Sequence, residues 1–301
     1  MMIEGAVQIL RSGGVIGLPT ETVYGLAADA TNADAVAKIF AIKGRPSSNP
    51  LIVHVADVAA ARRYAADWPD AAERLATAVW PGPLTIVVTR AAAIPDIVTA
   101  GGPTVGLRVP DHALARQVLA AFDGPLAAPS ANRSNHVSPT TAAHVRDEFG
   151  DAVPVVIDGG PCAVGIESTV VDVSSGGWRV LRPGAITAEQ IERVIGSGPS
   201  ADGSHAAVAR SPGQLPVHYA PATPAFRFES HERQGIDLTN AVVLEPTLDA
   251  ESYARNLYAR LRMLDTQALD AIYIEMPPDA PAWRAVRDRL LRATRPLSSR
   301  P

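Results

Sequence analysis

The sequence predicts an α/β protein built from two domains, and three observations support this prediction. Short apolar runs alternate with amphipathic helical segments through about the first two hundred residues. Residues 196–211 are rich in Gly, Ser and Ala, as is typical of a linker. A second, smaller series of strands and helices follows residue 221. We therefore predict one domain at residues 1–198, a linker at 199–221 and a small domain at 222–301.

Apolar runs bounded by polar or turn residues predict eight strands in the first domain. The first strand runs into a polar loop at residues 19–26, and the fifth leads into the loop Ser130-Ala131-Asn132. The predicted strands lie at residues 15–18, 51–55, 84–88, 105–109, 125–129, 153–157, 169–173 and 178–181.

Residues that favour a helix N-terminus predict four helices in the first domain. In the first helix, Val36, Ile39 and Phe40 share one apolar face. The third helix is predicted to end near Gly150 and the fourth at Ile195. The predicted caps are Asn32, Asp111, Ser138 followed by Pro139, and Thr187 with Gln190 at capping-box spacing.

The second domain repeats the alternation of strands and helices on a smaller scale. Its predicted strands lie at residues 226–228, 241–244 and 271–275. An amphipathic helix is predicted at 250–264 and a final helix at 282–291.

The composition indicates a folded chain without disulfides. Hydrophobic residues make up 47% of the sequence and charged residues 19%, which excludes a disordered chain. The net charge of -4 argues against a general nucleic-acid binder but leaves room for a local basic pocket that holds a nucleotide. Cys162 is the one cysteine, so no intrachain disulfide can form and a cysteine-based zinc site is not expected.

The N-terminal sequence and the hydropathy predict a cytoplasmic protein. The first residues lack the apolar core and the small-residue cleavage site of a signal peptide. No stretch approaches the roughly 18 uninterrupted apolar residues of a membrane span.

The sequence contains no Walker A loop, no dinucleotide-binding glycine motif and no His-Glu-x-x-His motif, so side chains would have to hold the phosphates of a nucleotide. Lys43 and Arg45 flank Gly44 just past the first predicted helix, where both side chains could turn toward one anion. Two solvated cations at a helix C-terminus would explain the same pattern.

Three further polar sites adjoin predicted strands, and each has a structural alternative. Arg108 lies inside an apolar strand and needs an anionic partner, either a ligand carboxylate or a carboxylate of the protein. Ser130 and Asn132 follow a strand, where ordinary turn capping is the alternative. His54 interrupts another apolar strand, a place where a histidine more often belongs to the core or its rim than to a functional site.

Five motifs follow one another along the chain. They are Pro19-Thr20-Glu21-Thr22-Val23-Tyr24-Gly25-Leu26, Lys43-x-Arg45, Pro129-Ser130-Ala131-Asn132, Gly165-Ile166-Glu167-Ser168-Thr169-Val170 and Leu181-Arg182-Pro183-Gly184. In this order they resemble the YrdC/Sua5 family of threonylcarbamoyl-AMP synthases, whose Lys-Arg-Ser-Asn signature is matched by Lys43, Arg45, Ser130 and Asn132. The run from His218 to Pro221 is similar to the linker end of the longer Sua5 type.

The resemblance implies a fold and an activity. The fold is a YrdC-like twisted mixed sheet followed by a small Rossmann-like α/β domain. The activity is that of a nucleotidyltransferase that makes L-threonylcarbamoyl-adenylate from L-threonine, bicarbonate or CO2 and ATP, with release of pyrophosphate. This reaction is the first step toward threonylcarbamoyladenosine at adenosine 37 of tRNA, and a separate transferase complex uses its product. Mg2+ is expected on the ATP phosphates rather than on protein ligands.

The resemblance also implies roles for individual residues. Lys43, Arg45 and Arg182 would neutralise phosphate charge, Arg108 would clamp the threonine carboxylate, and His54 with Thr22 or Ser168 would read the threonine hydroxyl. The catalytic set is Lys43, Arg45, Ser130 and Asn132. The residues expected around threonine are Thr22, His54, Arg108, Ala128 and Ser168. Those expected around ATP are Arg45, Asn49, Thr104, Ser130, Ser138, Arg182 and Tyr219.

Two departures from the family and two rival functions remain open. The last domain is shorter than the Sua5 type, and fewer basic residues precede His218, so the role of the domain and closure of the linker stay open. One rival is a carbamoyltransferase that forms carbamoyl-adenylate on the same scaffold, but its usual extra domains with Cys-rich or metal motifs are missing from this sequence. The other rival is a non-catalytic RNA-binding module, against which the acidic net charge argues.

Overall fold

A computed structural model describes residues 2–196, 219–234, 236–247 and 249–299. The first part of the chain is built on one eight-stranded sheet. Its strands are β1 (Ile16–Leu18), β2 (Gly25–Asp29), β3 (Ile52–His54), β4 (Leu84–Thr89), β5 (Thr104–Arg108), β6 (Leu126–Ala127), β7 (Thr169–Asp172) and β8 (Arg179–Arg182). They lie in the order β1-β2-β6-β3-β5-β4-β7-β8.

The sheet is mixed, as the family resemblance implies. β3 runs parallel to β5, and β4 runs parallel to β7, whereas the other neighbouring strands are antiparallel. In the β3–β5 pair, His54 lies opposite Arg108. Both of these polar side chains therefore stand at the same edge of the sheet, where the two strands end.

Helices cover both faces of this sheet. Successive residues of a strand point to opposite sides, so one strand contributes side chains to the core on each face. Leu26 and Ala28 of β2 belong to one core, and Ala27 between them belongs to another. The helices are α1 (Met2–Arg11), α2 (Ala33–Lys43), α3 (Val58–Arg63), α4 (Asp70–Val79), α5 (Asp96–Thr99), α6 (Ala113–Phe122), α7 (Ala142–Phe149) and α8 (Ala188–Ile195).

The last part of the chain forms a smaller, parallel sheet. Its strands are β9 (Ala225–Phe228), β10 (Ala241–Leu244), β11 (Ala271–Glu275) and β12 (Arg295–Pro296), in the order β10-β11-β9-β12. Two long helices, α9 (Ala250–Asp265) and α10 (Arg284–Ala293), pack with it. The expected small α/β unit is confirmed.

Local capping signals predict some helix starts correctly and others wrongly. Asn32 caps α2, and Thr187 forms a capping box with Gln190 at α8, as predicted. The helix predicted from Ser138 instead begins at Ala142, with Thr141 as its cap. The reason is that the Ser138 hydroxyl donates to the Glu167 carboxylate at 2.6 Å and so is not turned toward a helix end.

Two further expectations for the first sheet need correction. The N-cap of α6 is His112 rather than Asp111, and it makes no side-chain capping bond. Residues 153–157 do not form a strand; Val156 alone makes a bridge, to Gly17. Most of the predicted linker, residues 199–218, lies outside the described residues, so the domain boundaries stay predictions. In the described part of the chain, no helix combines the length and the apolar character that crossing a membrane requires.

The loop around Gly165, which precedes β7 of the first sheet, lies in close contact with α9 of the second domain. Gly165 has φ +80°, and a Cβ built on it would lie 2.4 Å from the backbone oxygen of Arg255. The Arg255 Nε in turn donates to the backbone oxygen of Ala163 at 2.8 Å. The loop that carries the Gly165–Val170 motif therefore packs directly on the second domain.

We expect Gly165→Ala to loosen this contact and to destabilise the protein. An alanine at φ +80° is strained by about 1 kcal/mol or more, and here its methyl group also overlaps backbone, which costs about 1–3 kcal/mol further. Gly176→Ala is the matched control, because Gly176 has φ +78° with nothing within 4 Å of the added Cβ. Urea unfolding should show a lower midpoint for Gly165→Ala than for Gly176→Ala. Equal midpoints would mean that the close approach to α9 does not constrain the fold.

Candidate active site

A single cavity gathers most of the motif residues at the ends of strands of the first sheet. It receives side chains from the loop after β1, from the ends of β3, β5 and β8, and from the segment before β7. Tyr219, near the end of the predicted linker, also lines it. Its lining residues are Thr20, Thr22, Val23, Gly25, Arg45, Ile52, His54, Arg108, Ala128, Pro129, Ser130, Glu167, Ser168, Arg182 and Tyr219.

Arg108 is buried at one end of the cavity beside a carboxylate of the protein. Its Nη1 donates to the Thr22 hydroxyl at 2.9 Å, and its Nε donates to the backbone oxygen of Gly82 at 3.2 Å. Its Nη2 lies 2.6 Å from Glu21 Oε1. Arg108 and Glu21 therefore form a buried ion pair at close contact, although the direction of the Nη2 hydrogens does not meet hydrogen-bond geometry. The charge of Arg108 is therefore balanced within the protein.

Thr20 fixes the loop that presents Thr22. The Thr20 hydroxyl donates to the backbone oxygen of Val23 at 2.6 Å and lies 2.9 Å from the Thr22 hydroxyl. Its oxygen also accepts from the backbone N–H groups of Thr22 and Val23 at 3.2 and 3.3 Å. A threonine therefore closes this turn with its own side chain, which is a common way to stabilise a tight loop.

His54 stands next to Arg108 and is neutral. It is 3% exposed, and its Nδ1 has no hydrogen-bond partner among the described residues. Burial lowers the pKa of His54 to about 3, and the neighbouring positive charge of Arg108 lowers it as well. A buried polar nitrogen without a partner is costly, so a ligand that bonds it gains that energy back.

Two arginines mark the other end of the cavity. Arg45 donates from Nε to the backbone oxygen of Asn49 at 3.3 Å and from Nη2 to that of Pro50 at 3.0 Å. Burial lowers the pKa of Arg45 to about 10, and Arg182 also lowers it. Arg45 therefore keeps its positive charge at neutral pH.

Arg182 is held at the end of β8 by the motif residue Ser168. Its Nε donates to the Ser168 backbone oxygen and its Nη2 to the Ser168 hydroxyl, both at 3.1 Å. The Ser168 hydroxyl also lies 2.8 Å from that of Thr85. Burial lowers the pKa of Arg182, which nevertheless stays cationic because arginine ionises far above neutral pH. The cavity wall thus carries Arg45 and Arg182 as one pair of cations, and a neutral His54 beside the Arg108–Glu21 ion pair.

Lys43 lies behind the cavity wall and does not line the cavity. Its ammonium donates to the backbone oxygens of Ser130 and Asn132. Its own backbone oxygen accepts from Ser134 N at 2.9 Å. Lys43 therefore braces the loop that brings Ser130 into the wall, and of the Lys43–Arg45 pair it is Arg45 that faces the cavity. Burial lowers the pKa of Lys43 well below its usual range, and the charge of Arg45 adds to this.

The remaining predicted site residues occupy supporting positions. Asn132 donates from Nδ2 to the backbone oxygens of Arg133 and His136, at 2.7 and 2.9 Å, and so shapes the loop. Asn49 contacts Arg45 through its backbone, and Thr104 begins β5 opposite Thr89. Ala128 lines the cavity with a small side chain.

Glu167 is a wall residue for which sequence reasoning assigned no role. Its Oε1 accepts from Ser138, and its Oε2 accepts from Tyr258 at 2.9 Å and from Arg289 Nε at 2.8 Å. Burial raises the pKa of Glu167, but Arg289, Arg182 and the hydrogen bonds outweigh burial and lower it to about 2. The carboxylate is therefore ionised, and it is paired within the protein. A charged residue inside the Gly165–Val170 motif was the only sequence signal for it.

Comparison with known proteins assigns this arrangement to a family. A family model described as "Telomere recombination", which covers Sua5, YciO and YrdC, matches residues 8–184. A second model, described as "Threonylcarbamoyl-AMP synthase, C-terminal domain", matches residues 186–294. The chain belongs to the Sua5/YrdC family.

Relatives of the Sua5/YrdC family align along almost the whole chain. Threonylcarbamoyl-AMP synthase of Pyrococcus abyssi is 37% identical over 318 residues, covering 97% of this chain and 94% of the relative. The enzyme of the same name from Bacillus subtilis is 39% identical over 322 residues, covering 97% and 92%. The crystal structure of P. abyssi Sua5 complexed with L-threonine matches with a TM-score of 0.87 at 34% identity, covering 97% of this chain and 95% of that one. The resemblance and the fold inferred from the sequence are confirmed.

Proposed function

We propose that this chain is a threonylcarbamoyl-AMP synthase that forms L-threonylcarbamoyl-adenylate from L-threonine, bicarbonate or CO2 and ATP, with release of pyrophosphate. The observation that carries the proposal is the full-length match to synthases of this name, at 37–39% identity over 97% of the chain. The match includes both domains, and the P. abyssi structure of the same fold was solved with L-threonine. This reaction is the first step of threonylcarbamoyladenosine synthesis in tRNA.

The cavity has the polarity that this reaction needs. An amino acid carries a carboxylate that Arg108 can bind, because a guanidinium has five N–H donors and Thr22, Gly82 and Glu21 do not engage all of them. The neutral His54 beside it can bond the threonine hydroxyl through Nδ1. Fixing both groups orients the amine, the atom that must attack CO2 or bicarbonate.

The nucleotide belongs at the end that holds Arg45 and Arg182. The oxygen of the carbamate attacks the α-phosphate and expels pyrophosphate, so negative charge accumulates on the phosphates. Two fixed guanidinium groups in a buried wall stabilise that charge without reorganising during the reaction. Burial also keeps water from the carbamate, which is unstable in water.

Mg2+ enters this proposal as part of MgATP. Among the described residues, no three His, Cys, Asp or Glu side chains are grouped to hold a metal. Glu167 faces the cavity, but both its oxygens already accept hydrogen bonds within the protein. The phosphates of ATP are therefore the ligands we expect for the ion.

The product would pass to a separate transferase complex that modifies tRNA, and we place the enzyme in the cytoplasm with that complex. Stable binding of nucleic acid by this chain is not part of the proposal, in keeping with its net charge of -4.

The reaction is tested by measuring pyrophosphate release from MgATP by the purified protein. We expect release to require both L-threonine and bicarbonate, and mass spectrometry to detect threonylcarbamoyl-AMP. Release that instead requires carbamoyl phosphate would favour a carbamoyltransferase. A folded protein that releases no pyrophosphate but binds RNA in a salt-dependent way would favour an RNA-binding module.

Lys43→Met should lower kcat/KM about 100-fold, because the loop that carries Ser130 loses its brace and a small displacement of wall residues is costly for catalysis. Methionine keeps an unbranched apolar stem, so the fold should persist. Lys38→Met is the matched control: Lys38 is the only other lysine, lies on the same helix and also donates to a backbone oxygen, that of Gly13, at 2.7 Å. Full activity of the Lys43 variant would refute its bracing role.

His54→Leu should weaken discrimination between threonine and valine by at least about tenfold, because the group that bonds the hydroxyl is lost. Initial rates with each amino acid give the ratio. His112→Leu is the control, since His112 also has a buried Nδ1 without a partner among the described residues but lies outside the cavity lining. Because the pKa of His54 is lowered to about 3, the wild-type ratio should not titrate between pH 6 and 8. A ratio that changes near pH 6.5 would contradict a neutral His54.

A further inference from the structure

A side chain of the second domain lies directly behind the cavity wall. Arg289 of α10 is fully buried, at 0% exposure. Its Nε donates to Glu167 Oε2 at 2.8 Å, and its Nη1 donates to the backbone oxygen of Pro183 at 3.0 Å. Pro183 immediately follows Arg182. One guanidinium group therefore holds Glu167 of the wall and the residue that follows Arg182, which precede it in the chain by 122 and 106 residues.

The same guanidinium group also supports Tyr219. The Arg289 Cζ lies 5.4 Å from the centroid of the Tyr219 ring, within the range of a cation–π contact. Tyr258 of α9 stacks on Tyr219 with 5.7 Å between the ring centroids, and its hydroxyl donates to Glu167. Tyr219 has φ +64°, a conformation that a bulky residue keeps only where its surroundings impose it. Arg289 and Tyr258 provide such surroundings.

Arg289 also balances a negative charge beside an anion site. Glu167 is an ionised carboxylate in the wall of a cavity that is expected to receive a triphosphate. Without Arg289, that carboxylate would repel the phosphates and attract Arg182 toward itself. With Arg289 present, its Nε donates a hydrogen bond to Glu167 Oε2 from behind the wall. Arg182 then remains hydrogen-bonded to Ser168.

We propose that Arg289 is a positioning residue for the nucleotide, acting through Glu167, the turn after Arg182 and Tyr219. The second domain thereby forms part of the ATP end of the cavity. The inference rests on the proposed function for the identity of the two ligands, ATP and L-threonine.

A positioning role and a merely structural role predict different kinetics. At the threonine end, the polar contacts of Arg108 are with Thr22, Glu21 and Gly82, all in the first domain. A change at position 289 should therefore act on ATP and spare threonine. General destabilisation would lower activity with both substrates alike.

The test compares KM for MgATP and KM for L-threonine in wild type and Arg289→Met. We expect KM for MgATP to rise at least about tenfold and KM for threonine to change less than about twofold. Arg289→Met leaves the Glu167 charge unpaired, so adding Glu167→Gln removes that charge. The double variant should regain at least about threefold in KM for MgATP relative to Arg289→Met.

Two further variants control for folding and for the domain contact. Arg284→Met removes another ion pair between α10 and the first domain, Arg284 Nη1 to Glu189 Oε1 at 2.8 Å, whose side chains are 55% and 47% exposed. Its KM values should equal those of wild type, because exposed ion pairs contribute little. Tyr258→Phe keeps the ring and removes only the hydroxyl bond to Glu167. Tyr258→Phe should raise KM for MgATP by a smaller factor than Arg289→Met does. If circular dichroism shows that Arg289→Met does not fold, the KM values of Tyr258→Phe are used for the test instead.

The outcomes separate this inference from the proposed function. A parallel rise in both KM values, or no recovery in the double variant, would overturn the positioning role and leave the synthase assignment intact. Absence of threonine-dependent pyrophosphate release in wild type would overturn the synthase assignment. In that case, calorimetric titration with MgATP still tests the inference, and equal affinity for wild type and Arg289→Met, or no binding to wild type, would overturn it.

Discussion

Glu167 and Arg289 form a buried ion pair where the two domains join. The positions of several residues of the site depend on this pair. A buried ion pair stabilises a protein only when further hydrogen bonds satisfy both partners. Here Ser138 and Tyr258 donate further hydrogen bonds to the Glu167 carboxylate. The Arg289 guanidinium donates further hydrogen bonds to Asp288 and to the Pro183 backbone oxygen. Because the donors come from both domains, the contacts that make burial of the charges tolerable also fix the second domain against the cavity wall. We infer that the pair specifies one arrangement more than it adds stability.

The two ends of the cavity differ in how their polar groups are satisfied. At the nucleotide end, Glu167, Arg182 and Arg45 are tied to the protein by hydrogen bonds, so their charges are preorganised. Beside the Arg108–Glu21 pair, His54 Nδ1 has no hydrogen-bond partner among the described residues. Open polar groups favour a ligand that bonds them and reject one that cannot, which is the basis of selectivity for a small polar amino acid. Under the proposed function, fixed charge would serve the phosphates, and unsatisfied polarity would serve the choice of amino acid.

Sequence signals that act between near neighbours predict the structure correctly. The Asn32 cap and the Thr187–Gln190 capping box were predicted because each acts within three residues. Strand β2 was missed because its glycine and alanines have little preference for strands, and neighbouring strands impose the conformation. The Ser138-Pro139 pattern predicts a helix cap wrongly, because the partner of Ser138, Glu167, lies 29 residues away. Glu21 and Arg289 were missed for the same reason, since only the fold shows what a charged residue faces. The motifs identified the family, but they did not show which motif residues touch the cavity.

Lys43 shows how one signature can combine two physical roles. Only two of the 27 basic residues are lysine, and this one is enclosed between two backbone oxygens of the Ser130–Asn132 loop. A compact ammonium suits that space better than a planar guanidinium, whereas Arg45 presents its fork to the cavity. The two charges oppose each other, because Arg45 helps to lower the pKa of Lys43. An anion at Arg45 offsets that repulsion and favours the charged ammonium, and the charged ammonium forms the stronger bonds to the loop. By linkage, a firmly held loop must then favour the anion to the same degree. If the nucleotide binds at Arg45, as the proposed function has it, Lys43 behind the wall and the phosphates in front of it are coupled without touching.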